Sequence, residues 1–447
     1  MLQKYTVFIA NARKKCVYKN RRFLFSLLFF LASSVVNAAT PEKLLTLSDA
    51  IRLALAENPS LKVFSFRDDA LQGQLQTANL KPAYELGVAT ENFAGTGGFN
   101  GVGSAELTVS LSSTIEMGGK RKARTEIYSQ SRSHQEAKRQ VASLELLGEV
   151  TRRYIDVLAA QQRVILATEA AELAKMTLRV VKKRSKAGST PEAEVKRAQA
   201  AEAQSQLALL SGQQQLSYLK VALAALWGET SPVFATVSGD LFNFGQDVDF
   251  ELLYAKMETN PAIQVFAAQQ RLKDAEVRLA KTESSSDINW SVGVRRFQDT
   301  SDTAITAGFS MPLFSSKRNS GAVSAALASR NEVFVQKEVA LLKMHTQLFR
   351  AFSNRQQAII SAQKLQSEIV PALEDALSET QQAYERGRYG YLEYVSARQE
   401  LLRARQTLIA SAAAALTYGA DIEQLTAEPL PASQYPDFKK ITSEFKD

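Results

Sequence analysis

The sequence predicts a mainly α protein with a membrane β-barrel. Four strands per chain would join those of two further copies in a barrel of about 12 strands, continued by a long coiled-coil α-barrel. Three observations predict this. Residues 119–187 and 318–386 each form a 69-residue stretch of helical composition, the first without proline and the second with only Pro371. Each stretch follows an isolated pair of short segments with period-two alternation. The whole arrangement occurs twice.

The repetition rests on three landmarks. Asn58-Pro59 with Val63-Phe64 recurs as Asn260-Pro261 with Val265-Phe266. Lys120-Arg121 recurs as Lys317-Arg318, and Gly188, Glu194 and Ala198 recur as Gly387, Glu393 and Ala397. The offsets are 202, 197 and 199, so one unit of about 200 residues is duplicated. The expected halves are residues 40–239 and 240–427, with 428–447 as a tail.

Within each half the same elements follow in order. A short helix over 47–57 leads to Asn58-Pro59, where proline suits the first turn of a second helix. That helix is expected to stop before Pro82. Strands are expected at about 83–92 and 104–115, and again at 287–297 and 302–312. Leu107, Val109 and Leu111 fall on one face, as do Ile288, Trp290, Val292 and Val294, and then Ile305, Ala307 and Phe309. The long helices 119–187 and 318–386 each span roughly 100 Å. Gly188 to Pro191 and Gly387 to Gly390 turn them into return helices over 191–228 and 391–418. Pro371 should kink or split the second long helix.

Residues 1–38 read as a secretory signal peptide. Lys19, Arg21 and Arg22 precede the apolar run Phe23–Val36, and Val36-Asn37-Ala38 offers small residues for cleavage. Seven of the 54 basic residues lie in 1–39 with no acid, leaving 47 basic against 46 acidic residues. The net charge of +8 is therefore mostly leader, and nucleic-acid binding loses its support. The single cysteine, Cys16, lies there too. With only His134 and His345 besides, there is little for a metal enzyme. No Ser/His/Asp set or GxSxG occurs, and the glycines from Gly95 to Gly103 lack a phosphate-binding frame. We expect no catalytic residues, no bound metal, no cofactor and no enzymatic activity.

Strands of 10–12 residues suit a tilted bilayer crossing, although a soluble sheet with one wet face has the same pattern. Context favours the membrane, because each hairpin stands alone between very long helices. Four strands cannot close a barrel, and three chains supply enough. Both hairpins are flanked by helices, so all the helices leave on one side.

This arrangement resembles the TolC family of outer-membrane efflux proteins over residues 44–427. The carriers are the duplicated Asn-Pro helix starts and the motif Tyr384-x-x-Gly387-x-x-x-Tyr391-Leu392-Glu393-x-x-x-Ala397-x-x-x-Leu401. Pro191 departs from it in the first copy. The stretches Glu91–Gly95, Ala105–Leu111 and Ile115–Arg121 resemble the CzcC-like heavy-metal branch. The resemblance implies a homotrimeric exit duct in the outer membrane of a Gram-negative bacterium, with a large periplasmic portion. It implies a periplasmic adaptor and a proton-driven inner-membrane pump of the RND type as partners, and cobalt, zinc and cadmium as cargo. A drug-efflux or type I secretion duct of the same fold is the alternative, and a soluble periplasmic coiled-coil scaffold or adaptor is the alternative of another class.

By the same resemblance Glu393 lines the periplasmic constriction, and Glu194 is its counterpart. Three-fold symmetry makes each carboxylate a ring of three charges. Gly188, Gly387, Arg386 and Arg388 form the tips where an adaptor would dock. A glycine at a helix C-terminus also has a purely backbone reason to be there. Lys182, Lys183, Arg184 and Lys186 read as a solvated helix end, and Met344-His345 as packing or solvated surface.

Overall fold

The computed structural model describes residues 44–246 and 248–430. The signal peptide and most of the tail lie outside these residues. The elements run in order. A two-residue strand β1 (Leu44–Leu45) is followed by helices α1 (Leu47–Glu57) and α2 (Pro59–Ala78). Strands β2 (Glu85–Glu91) and β3 (Glu106–Ile115) precede the long helix α3 (Lys120–Lys186). Its return is α4 (Glu192–Ala224), and a short strand β4 (Thr236–Val237) follows. The second half repeats this with α5 (Phe250–Met257), α6 (Pro261–Thr282), β5 (Ile288–Phe297) and β6 (Thr303–Ser310). Then come a single turn α7 (Ser315–Arg318) and helices α8 (Ser320–Lys364), α9 (Val370–Glu385) and α10 (Tyr391–Thr426).

The four long strands form one antiparallel sheet in the order β2-β3-β5-β6. The register places Leu111 beside Val292 and Val292 beside Ala307. Val109 pairs with Val294, which pairs with Ile305. One face is therefore aliphatic, and its side chains stay open in a single chain, from 42% exposure at Val109 to 81% at Ile305. The other face carries small and polar residues. Gly87, Ser110, Gly293 and Thr306 form one row across it. A Cβ on Gly293 would lie 2.7 Å from the Val109 carbonyl, so this face is crowded in a way only glycine tolerates. Arg295 crosses the same face, bonding Glu91 at 2.9 Å and Glu106 at 2.8 Å.

Among the described residues no helix is long and apolar enough to cross a membrane. The helices instead pack on one another. α2 and α4 both lie against α3, while α6 and α10 lie against α8 and α3. Each Asn-Pro start welds two short helices end to end. Asn58 Oδ1 accepts from Ser60 N at 2.8 Å to cap α2, and its Nδ2 donates to Leu226 O at 2.7 Å, at the end of α4. α2 and α4 thus stack end to end beside the long helix α3.

The largest core lies at mid-length. Leu45, Ile51, Val150, Ile155, Leu223, Leu241 and Ala412 meet there, beneath the parallel pairing of β1 with β4. A second core joins Leu253, Met257, Met344, Leu348 and Ile422. Met344 is packing, as expected, and His345 stands edge-on to Phe250 and Tyr254 at 5.8 and 5.1 Å.

Pro371, expected to kink or split its helix, does not split it. The turn Leu365–Ile369 widens to π geometry, with Val370 N–H bonding Leu365 O, and the helix continues. Proline lacks an N–H and crowds the carbonyl four residues back, and a wide turn absorbs both effects. The final helix runs to Thr426 rather than 418. Gly419 is buried beside Arg355 and Leu430 and lies within the helix rather than at its end.

Candidate functional site

The two helix tips are built alike. At the end of α3, Gly188 has φ +75°, and Ser189 N donates to Arg184 O at 3.0 Å. At the end of α9, Gly387 also has φ +75°, and Arg388 N donates to Ala383 O at 2.9 Å. Both are helix ends closed by a bond from the residue after a left-handed glycine, so each glycine has a backbone role. Ala187, Gly188, Ser189, Arg386, Gly387 and Arg388 are all exposed.

A tyrosine cluster ties the tips together. Tyr384 stacks on Tyr394 with centroids 5.6 Å apart and planes 12° apart, and meets Tyr391 edge-on at 6.3 Å. Tyr394 Oη lies 3.2 Å from Thr177 Oγ1 of α3. Val181, Val195 and Ala198 complete this small core. Arg184 was expected to be solvated with its neighbours. Instead it folds across to the second tip, with its guanidinium carbon 4.5 Å above the Tyr384 ring and Nη1 donating to the Tyr384 carbonyl. Stacking over an aromatic face while keeping a charged hydrogen bond suits arginine better than lysine. Lys182, Lys183 and Lys186 are exposed, as expected.

The two acids differ. Glu194 is half-buried in the first turn of α4, close enough to Tyr384 and Tyr391 to raise both phenols electrostatically. Burial is the larger cause of those raised values, and Arg184 opposes the shift at Tyr384. The phenols are therefore neutral near pH 7. Glu393 is exposed in the first turn of α10, and a Cβ on Gly390 would lie 2.8 Å from its Oε2. Acids in a first turn are favoured by the helix dipole. Neither forms an ion pair among the described residues, and Lys196 faces Glu192 at 3.9 Å instead. The structure thus brings Glu194 into the cluster and leaves Glu393 at the surface.

Arg398 went unnoticed in the sequence. It is 5% exposed on α10 beside Tyr391, with Nε and Nη1 unpartnered. Its position seven residues after Tyr391 was the available signal. Among the described residues no group of three or more His, Cys, Asp or Glu could hold a metal ion.

Comparison with known proteins agrees with this geometry. The chain is 26% identical over 361 residues to the cobalt-zinc-cadmium resistance protein CzcC of Cupriavidus metallidurans, covering 81% of this chain and 85% of that protein. It is 28% identical over 282 residues to the nickel and cobalt resistance protein CnrC of the same organism, covering 61% and 65%. The outer membrane protein VceC of Vibrio cholerae has the same fold, with a TM-score of 0.65 and 20% identity over 86% of this chain and 96% of that one. A model of outer membrane efflux proteins matches residues 50–229 and 252–428, nearly the whole of both halves. A sheet with one aliphatic face, carried on paired long helices that end in tied tips, is in this light the protomer of an efflux channel, and the chain belongs to the outer membrane efflux protein family.

Proposed function

We propose that three copies of this chain form the exit duct of a tripartite efflux system for divalent metal cations. The observation that carries the duct is the open sheet. Among the described residues its edge strands β2 and β6 have no second partner, and its aliphatic face is uncovered in a single chain. Pairing β6 of one copy with β2 of the next would satisfy both edges in a barrel of about 12 strands. The two duplicated halves, about 40–239 and 240–427, would then alternate around the axis. α3 continues the wall for about 100 Å on one side, which suits a periplasmic tunnel.

The duct does no chemistry, and its energy comes from a proton-driven inner-membrane pump reached through a periplasmic adaptor. The exposed tips at Gly188, Gly387, Arg386 and Arg388 are the surface offered to that adaptor. Glu393 rings the narrow end, with Glu194 behind it in the tyrosine cluster. The metal cargo rests on the similarity to CzcC and CnrC, whose names state metal resistance.

A strain lacking only this gene tests the reading. Sensitivity confined to zinc, cobalt, cadmium or nickel supports it. Sensitivity to hydrophobic drugs and detergents with normal metal tolerance keeps the duct and overturns the cargo.

A further inference from the structure

Each half carries a Lys-Arg pair where strand gives way to helix, Lys120-Arg121 and Lys317-Arg318, and the duct function uses neither. In the first half the pair divides. Lys120 is buried, and its Nζ meets Asp287 at 2.8 Å. Arg121 is exposed, as are Lys122 and Lys81, and none of these three has an ion-pair partner among the described residues. All three line one cleft of about 730 Å³. Tyr84, Ile115 and Trp290 form its apolar side, with Tyr84 edge-on to Trp290 at 6.3 Å.

The position of the cleft defines its ligand. Ile115 and Trp290 belong to the aliphatic face of the sheet, which continues upward through Leu111 and Val109. An apolar surface thus runs directly into three cations without ion-pair partners among the described residues, and Glu116, the acid that also lines the cleft, is held by Arg124. α3 also begins there without a side-chain cap, so its first-turn N–H groups add partial positive charge. Aromatic rings at such a boundary sit at headgroup depth, and basic side chains there attract anionic lipid. The second half repeats the chemistry, with exposed Lys317 and Arg318 following exposed Met311 and Leu313. We propose that the cleft binds the headgroup of an anionic phospholipid of the periplasmic leaflet, its phosphate on Lys81, Arg121 and Lys122 and its acyl chains along the sheet. A free phosphate would gain nothing from the apolar surface. The inference rests on the reading of the sheet as a membrane wall.

Trp290 is a reporter inside the cleft. The chain has two tryptophans, and Trp227→Phe leaves Trp290 alone. The full chain, reconstituted in phosphatidylcholine bilayers, is titrated with brominated phosphatidylglycerol or brominated phosphatidylethanolamine while Trp290 fluorescence is read. The expected result is quenching at about fivefold lower mole fraction of the glycerol lipid, the factor one interfacial cation contributes. Lys81→Gln/Arg121→Gln/Lys122→Gln should abolish the preference. Lys182→Gln/Lys183→Gln/Lys186→Gln, an equal charge change at the distant tip, should retain it. Equal quenching by both lipids overturns the proposal and leaves the wall intact. No quenching by either overturns the wall as well. A preference erased by inorganic phosphate, or lost equally in the tip variant, also overturns it.

Discussion

Asn260 donates from Nδ2 to the carbonyl of Gln424 at 2.9 Å, and to that of Leu425 at the same distance, while its Oδ1 accepts from Ala262 N at 2.8 Å. One buried amide therefore caps α6 and closes the end of α10. Asn260→Asp keeps the cap and loses the donation, and two buried carbonyls are left facing an acid. We expect a loss of about 1–3 kcal/mol, and a larger one for Asn260→Ala, from thermal unfolding followed by circular dichroism.

Arg184→Met should loosen the tips. It removes the stack on Tyr384 and the bond to its carbonyl while keeping an unbranched apolar stem. About 2 kcal/mol of tip contact is lost, and the open fraction of single channels in planar bilayers should rise. Arg184→Lys should behave more like methionine than like wild type. Unchanged gating in both variants refutes the latch.

Glu393→Gln should reduce cation preference in the same bilayers. In the proposed trimer three exposed Glu393 carboxylates would form a ring that favours cations, and the amide retains size without charge. Reversal potentials under a salt gradient measure the change. A wild-type selectivity ratio in the variant removes Glu393 from the constriction.

Gly293→Val should prevent assembly. The added Cβ meets the Val109 carbonyl at 2.7 Å, and that backbone oxygen cannot retreat without breaking the sheet. Gly98→Val is the control, because a Cβ there meets nothing within 4 Å. Heat-labile oligomer on gels should vanish in the first variant and persist in the second.

His134 supplies a pH dependence. Burial holds its imidazole below the ordinary histidine range, with Lys138 and Lys273 adding to the effect and a hydrogen bond with the Val265 backbone opposing it. The unfolded chain then binds the extra proton first as pH falls. Stability from neutral His134 is present above about pH 6.5 and is lost as pH falls through the lower folded value. The melting temperature of wild type should drop more than that of His134→Gln between about pH 7.5 and about pH 5.5.

Much of the architecture was legible because its signals are local. Period-two alternation placed Val109, Val292 and Ile305 on one face, and Asn58-Pro59 and Asn260-Pro261 marked helix starts that the structure caps through those side chains. What escaped was non-local or ambiguous. Arg184 and Tyr384 are 200 residues apart, and a run of four bases reads as solvent-facing until a ring is brought beneath one of them. Gly419 has the sequence look of a helix end, yet its neighbour in space Arg355 belongs to a distant helix. Pro371 announced a disturbance, but whether a helix breaks or widens depends on what packs around it. Here Leu365 and Val370 are both buried against Leu401 and Ala404.

The π turn at Leu365–Ile369 also has a mechanical meaning. Below it α9 is an arm of 16 residues, roughly 24 Å, ending at the Gly387 tip. A tilt of about 10° at the widened turn would carry the tip about 4 Å sideways, comparable with the radius of a hydrated cation. α3 runs unbroken from Lys120 to Lys186 and has no such joint. The protomer thus pairs a rigid strut with a jointed one, and Arg184, on the strut, holds Tyr384 at the far end of the jointed arm, where leverage against it is greatest.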